Sequence, residues 1–384
     1  MDPTPDYLPP PYGSRTLAEV VPSLLAALGA GEFDNPLAAP AARSVCLLVI
    51  DGLGWRLLRD HAADAPFLAG LMPEANPLVA GFPATTATSL ASLGTGLPPG
   101  QHGIVGYSFF VPGAGLLNAL TWSSHGTVDP RDLRDVVVPE NAQPMATLLE
   151  RAQASGIAVT VAAPRYQEHS GLTRAALRGG RFQPVRALGD LAATALANGS
   201  RAFCYAYHGD LDMLGHRHGP GSLPWRLQLR QVDQLAASIA ERLAPGALLA
   251  VTADHGMVTV AEADRIDWDG EPTLRDGVVL VGGEVRVRHL YTEAGAAHDV
   301  IDNWRSRLGD RAWIATGEEA IAAGWFGPTV ADHVRHRIGD VIVAAGAATG
   351  IVCRTAEPLE SRLLGHHGSF TPDEQLVPLL LAHG

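Results

Sequence analysis

Ser44-Val45-Cys46-Leu47-Leu48-Val49-Ile50-Asp51-Gly52 is the stretch whose reading decides the fold. Seven residues without a charge end abruptly at an acid and a glycine. A strand solvated on one face would alternate polar and apolar positions, whereas continuous apolarity suits a central parallel strand buried on both faces. The same pattern returns at 157–163, 201–207 and 247–252, with helix-like stretches between. Alternating strands and helices predict an α/β fold with a doubly wound, mostly parallel sheet. Ligands of such sheets bind outside the carboxyl ends of the strands, and Asp51 and Asp254 both stand there.

Outward from this core the pattern changes twice. Leu17, Val20, Val21, Leu24, Leu25 and Leu28 recur at helical spacing and predict a helix that Gly29 ends. From about 264 to 345 the rhythm breaks into two strand-like runs, a helix-like Ala-His-Asp-Val-Ile-Asp-Asn-Trp segment, a third strand and a second helix, which reads as a small α+β insertion capping the site. The apolar run at 338–345 and the His-His-Gly segment after it read as a return to the core pattern. The expected organisation is a catalytic core of residues 1–263 and 346–384 with an insertion at 264–345.

Composition narrows the function. The chain has 384 residues, 47% of them hydrophobic, which suits a compact enzyme rather than a disordered protein. With 28 basic against 40 acidic residues the net charge is −12, so no global attraction draws it to nucleic acid or to an anionic membrane. Cys46, Cys204 and Cys353 lie far apart in apolar runs, unlike a disulfide framework. The proline-rich start lacks the basic and apolar regions of a secretory signal, and no apolar run reaches the roughly 18 residues of a membrane span. The expectation is a cytoplasmic protein with no membrane and no nucleic-acid partner.

Several segments carry chemistry-bearing residues. Asp254-His255-Gly256 follows a strand, so two ligand types would project from its end, beside a glycine that permits close backbone approach. Asp212 and His216 stand four apart, on one face if the segment is helical. Thr85, Thr86, Thr88 and Ser89 follow Gly81-Phe82-Pro83-Ala84, where a hydroxyl at a helix start would lie in the field of free backbone N–H groups. Residue types alone do not choose a nucleophile among these four.

Read in order, the segments around Asp51, around Thr86 with Thr95 to Gly103, around Asp212 to Pro220, at Asp254 to Met257 and at Gly365 to Ser369 resemble the alkaline phosphatase superfamily, in its type I phosphodiesterase and nucleotide pyrophosphatase branch. The resemblance implies one metal held by Asp51, Thr86, Asp254 and His255, and a second held by Asp212, His216 and His367. It prefers His367 to His366 because the family ligand directly precedes the glycine. It prefers Thr86 to Thr85 as nucleophile because Thr86 follows Phe82 by four positions and precedes Thr95 by nine. Members often carry an Asn three residues after the nucleophile to hold a phosphate oxygen; Ser89 stands there, and Ser89 with Thr88 is the implied substitute.

Mixed Asp and His ligands favour two divalent ions of the Zn²⁺ type, with Mn²⁺ an alternative. The expected reaction is hydrolysis of a phosphodiester or pyrophosphate, in a small-molecule substrate such as a nucleotide, through a phospho-threonine. The alternatives are a phosphomonoesterase, phosphonate hydrolase or mutase of the same superfamily, and a catalytically inactive metal-binding protein. A monoesterase would call on extra positive charge, for which Arg165, Arg174, Arg178 and Arg181 are candidates. Tyr107, Trp122, Tyr166, Tyr207 and Phe370 are candidates for stacking on a leaving group.

Overall fold

A computed structural model describes residues 6–72, 76–197 and 199–384; the first five residues of the proline-rich start lie outside it. The main sheet has six strands in the order Leu379–His383, Ala247–Thr252, Ser44–Ile50, Ala202–His208, Ala158–Pro164, Arg181–Val185. All neighbours are parallel except Leu379–His383, an antiparallel edge. Every residue of Ser44–Ile50 is buried, as expected of a strand whose both faces are covered. Helices such as Leu188–Leu196 and Leu223–Ala240 pack against the sheet. The fold is the mixed α/β, mostly parallel architecture anticipated from Ser44–Ile50.

Near the N-terminus a short 3₁₀ turn at Leu17–Glu19 runs into the helix Val20–Ala27, and Gly29, at φ +80°, follows its end.

A second sheet has four antiparallel strands in the order Val278–Glu284, Val287–Thr292, Val341–Ala345, Ala312–Thr316. The run at 338–345 therefore does not return to the main sheet: Val341–Ala345 is an inner strand of the small one. Its continuous apolarity has the same cause as in Ser44–Ile50, because all five residues are buried. Side chains alternate along the inner strands of this sheet, while a bulge between Val278 and Leu280 breaks the register at its edge. Leu290, Ile314, Val341 and Val343 join Val300, Ile301 and Trp304 of the helix Ala297–Leu308 in one apolar cluster. Val287, Trp313, Ala315, Ile342 and Ala344 face the main core instead. The small sheet is thus packed between its own helix and the main body. Arg265–Asp267 pairs with Gly350–Val352, so the chain leaves and returns at adjacent points.

Candidate active site

The carboxyl ends of the main strands converge on one cavity of about 1150 Å³. Asp51 directly follows the central strand, Asp254 and His255 follow the strand Ala247–Thr252, and Asp212 and His216 project from the helix Asp210–His218 after Ala202–His208. His367 follows Gly365–His366, which pairs with Val258–Thr259. Gly52 adopts φ +73°, and a Cβ there would come within 3.1 Å of the Asp212 backbone, so only glycine lets these two segments approach.

Two groups of ligand atoms result. Asp51, Asp254 and His255 offer donors within 4.8 Å of one another, and so do Asp212, His216 and His367. In the first group His255 Nε2 lies 3.3 Å from Asp51 Oδ1 and 3.5 Å from Asp254 Oδ2. In the second, Asp212 Oδ2 is 3.2 Å from His216 Nε2 and Asp212 Oδ1 is 3.9 Å from His367 Nε2. Tetrahedral ligands about 2.0–2.1 Å from an ion would be spaced by about 3.3 Å, close to these separations. The His255 and His367 rings stack at 3.4 Å, which places the groups side by side.

The hydrogen bonding fits metal binding as well. Nδ1–H of His216 donates to the Gly365 carbonyl at 2.7 Å, that of His255 to Gly256 at 2.9 Å and that of His367 to Ala84 at 2.9 Å. Each bond occupies Nδ1 and turns Nε2 toward the acids, the usual way a histidine ligand is oriented; in His216 a cation would replace the Nε2 proton now shared with Asp212. His366 is used differently: its Nε2–H donates to the Leu363 carbonyl at 3.0 Å. Among the described residues, Asp51 Oδ1, Asp254 Oδ2 and Asp212 Oδ1 are buried with no hydrogen-bond partner. Orphaned carboxylate oxygens at this density are costly unless a cation meets them.

Electrostatics tell the same story. Burial, with the nearby Asp254 and Asp212 charges, pushes the Asp51 carboxyl well above the usual range. Burial also raises Asp212, but the facing His216 charge and hydrogen bond outweigh it and hold that carboxyl low. For His216 burial is outweighed by Asp212, and its pKa rises to about 9. Burial and the neighbouring His255 keep His367 neutral, the form in which it can ligate.

Thr86 opens the helix Thr86–Thr95, and its Oγ1 lies 3.2 Å from His255 Nε2. Thr85 is the N-cap residue but makes no side-chain cap bond, which leaves the first-turn amides available to an anion. Both line the cavity; Thr88 and Ser89 do not. Ser89, expected at the phosphate, has its hydroxyl turned to the Asp254 backbone carbonyl, to which it donates at 2.7 Å. Ser89 instead ties the nucleophile helix to the Asp254 segment.

Of the aromatic candidates, Tyr107, Tyr166 and Tyr207 line the cavity, while Trp122 and Phe370 are core. None of Arg165, Arg174, Arg178 and Arg181 lines it; Arg174 pairs with Glu140 and Arg178 with Glu150. Tyr207, singled out in the sequence only for stacking, has a different partner: its Oη donates to Asp51 Oδ2. One group escaped the sequence reading: Glu284, from the small sheet, reaches the cavity with burial pushing its carboxyl up to about 8. It stands beside Gly282-Gly283 and has the look of an ordinary turn residue.

An α/β fold with two such ligand groups at the strand ends is that of the alkaline phosphatase superfamily. The family model of type I phosphodiesterase / nucleotide pyrophosphatase matches residues 45–370, and the chain belongs to this family. Murine ectonucleotide pyrophosphatase / phosphodiesterase 5, solved as an inactive variant with AMP, superposes with a TM-score of 0.66 at 18% identity, over 88% of this chain and 87% of its own. A phosphopentomutase of Anaeromyxobacter dehalogenans is 29% identical over 168 residues, 43% of this chain and 41% of its own length. Human ectonucleotide pyrophosphatase/phosphodiesterase family member 7 is 38% identical over 79 residues, 18% of this chain and 17% of its own. The chain thus spans well under half the length of these curated relatives.

Proposed function

We propose that the protein hydrolyses phosphodiester or pyrophosphate bonds through Thr86, with two divalent ions, of the Zn²⁺ type, held by Asp51, Asp254 and His255 and by Asp212, His216 and His367. The observation that carries this reading is the placement of Thr86, at a helix start and 3.2 Å from His255, beside two groups whose histidines all spend Nδ1 on a backbone carbonyl and turn Nε2 to the acids. When bound, the ions supply positive charge that lowers the pKa of the Thr86 hydroxyl and steadies the attacking and leaving oxygens.

The chain's own groups do the rest. Thr86 Oγ1 bonds to phosphorus as the bond to the leaving oxygen breaks, and that oxygen departs with the electron pair and takes up a proton. Water then attacks the phospho-threonine, the P–Oγ1 bond breaks and Thr86 regains its proton. Free amides at the start of Thr86–Thr95 offer donors to the phosphate oxygens throughout. Tyr207 keeps Asp51 oriented by donating to its Oδ2.

The four arginines considered for a doubly charged phosphate do not line the cavity, whereas Arg134, Arg186 and Arg217 do, so the choice between diester and monoester falls to substrate rates. The local likeness to phosphopentomutases makes a mutase the second reading. Rates on 4-nitrophenyl phosphate, bis(4-nitrophenyl) phosphate and a pentose phosphate separate the three. Thr86→Ala should lower diester turnover on the order of 1,000-fold or more while metal content is retained. Near-wild-type turnover by that variant would remove Thr86 from the reaction.

A further inference from the structure

We propose that Glu284 is a positioning residue that keeps the nucleophile helix uncapped: by engaging the Thr85 hydroxyl it leaves the first-turn amides to the phosphate. This role rests on the Thr86 reading above and deepens it at the anion end of the site. In Thr86–Thr95 the first N–H to bond is that of Ser89, to the Thr85 carbonyl at 2.9 Å, so the N–H groups of Thr86, Ala87 and Thr88 precede the helix's own ladder. Thr85 is well suited to cap them, by residue type and by its extended backbone at φ −135° and ψ 148°. At other helix starts of this chain Thr16, Thr147 and Thr316 do cap, each in a capping box closed by a glutamate three residues on. Here that position is Thr88, and Thr85 makes no cap bond.

The glutamate that Thr85 meets comes from the small sheet instead. A side-chain hydrogen bond joins Thr85 to Glu284, and both residues line the cavity. A carboxyl oxygen accepts from a hydroxyl whether or not the acid carries its proton, so the contact survives in both forms. Gly368, at φ +138°, makes room for it: a Cβ there would lie 2.9 Å from Glu284 Oε1 and 3.2 Å from its Cγ. Neighbouring bonds hold the frame. Ala84 N–H donates to the Gly368 carbonyl at 2.8 Å, while Glu374 pairs with Arg286 of the same hairpin and accepts from Ser369 N–H at 3.0 Å. Glu284 Oε1 is buried with no hydrogen-bond partner among the described residues, which costs stability, and an acid beside a phosphate is unfavourable by charge. Keeping an amide open for that phosphate offsets both.

Calorimetry with inorganic phosphate on the metal-loaded protein tests this without any ester. Glu284→Ala releases Thr85 to cap the helix and should weaken phosphate binding at least about fivefold, as a threonine cap now competes for an amide. Charge alone predicts the reverse, since an acid has left the surroundings of the anion. Glu284→Gln keeps an acceptor in the same place and should bind phosphate at least as tightly as the wild type. Thr85→Val has no hydroxyl to cap with, so it should bind phosphate like the wild type, and in that background Glu284→Ala should carry no penalty. Hydrogen exchange gives the structural reading: the Ala87 or Thr88 amide should gain protection in Glu284→Ala and not in Glu284→Gln. Unchanged or tighter phosphate binding by Glu284→Ala at full metal content, an equal loss in Glu284→Gln, or a loss in Thr85→Val would overturn the inference and leave diester turnover by the wild type as it stands. The expected binding pattern in a protein that turns over no diester would uphold the role of Glu284 and sink the diesterase reading instead.

Discussion

His366 and His367 are adjacent in sequence and do different work. His367 turns Nε2 toward Asp212, while His366 spends its Nε2–H on the Leu363 carbonyl. His367→Ala should therefore lose one equivalent of metal and about 100-fold or more in turnover, whereas His366→Ala should keep both metals by elemental analysis. Ser89 shows the same distinction between position and partner. Its hydroxyl holds the Asp254 carbonyl, so Ser89→Ala should cost about 1 kcal/mol in a denaturant titration and leave KM for the diester unchanged. A raised KM at full stability would restore Ser89 to the phosphate. The proposed ligands stood out in the sequence because acids and imidazoles interrupt or follow apolar runs, where a merely structural residue has little reason to be charged, but their division into two groups and the choice of His367 over His366 came from the family resemblance. The tautomers, the bond from Tyr207 to Asp51 and the partner of Ser89 were not, since each depends on a carbonyl or carboxylate brought close only by folding.

Secondary elements were legible where burial leaves a period or a run. The unbroken run of Ser44–Ile50 marks a central strand, but a fully buried antiparallel strand has the same signature, which is why Val341–Ala345, inside the 264–345 segment, looks core-like in sequence while pairing in the small sheet. The hairpin formed by Val278–Glu284 and Val287–Thr292 illustrates what elements add to the site. Buried pairs Arg286–Glu374 and Arg288–Glu357, at 2.8 and 2.7 Å, anchor it to the rest of the chain. It thereby holds Glu284 at the cavity, where burial raises its carboxyl from the ordinary range to about 8. A folded-state pKa above the unfolded one means that the folded form binds the proton more tightly. That contribution is complete below about pH 4.5 and is lost as pH rises toward 8. In metal-free protein, Glu284→Gln should thus gain on the wild type in melting temperature between pH 5 and 8. A constant difference across that range would show that Glu284 is not held in its neutral form.

At the scale of the whole molecule, folding brings Asp51, Asp212 and Asp254 from three separate segments into one buried region, in a chain already carrying a net charge of −12. Burial, and after it repulsion from Asp254 and Asp212, raises Asp51, and an oxygen of each carboxylate is left without a hydrogen-bond partner among the described residues. Such an assembly makes physical sense as a receptor for divalent cations, with the two sheets as its scaffold. The central claim, two ions flanking Thr86, is tested most directly by anomalous diffraction from crystals grown with Zn²⁺. The account predicts two peaks, each about 2.0–2.2 Å from its ligand atoms: one on Asp51, Asp254 and His255, the other on Asp212, His216 and His367. A single peak, or ions seated away from these six residues, would contradict it.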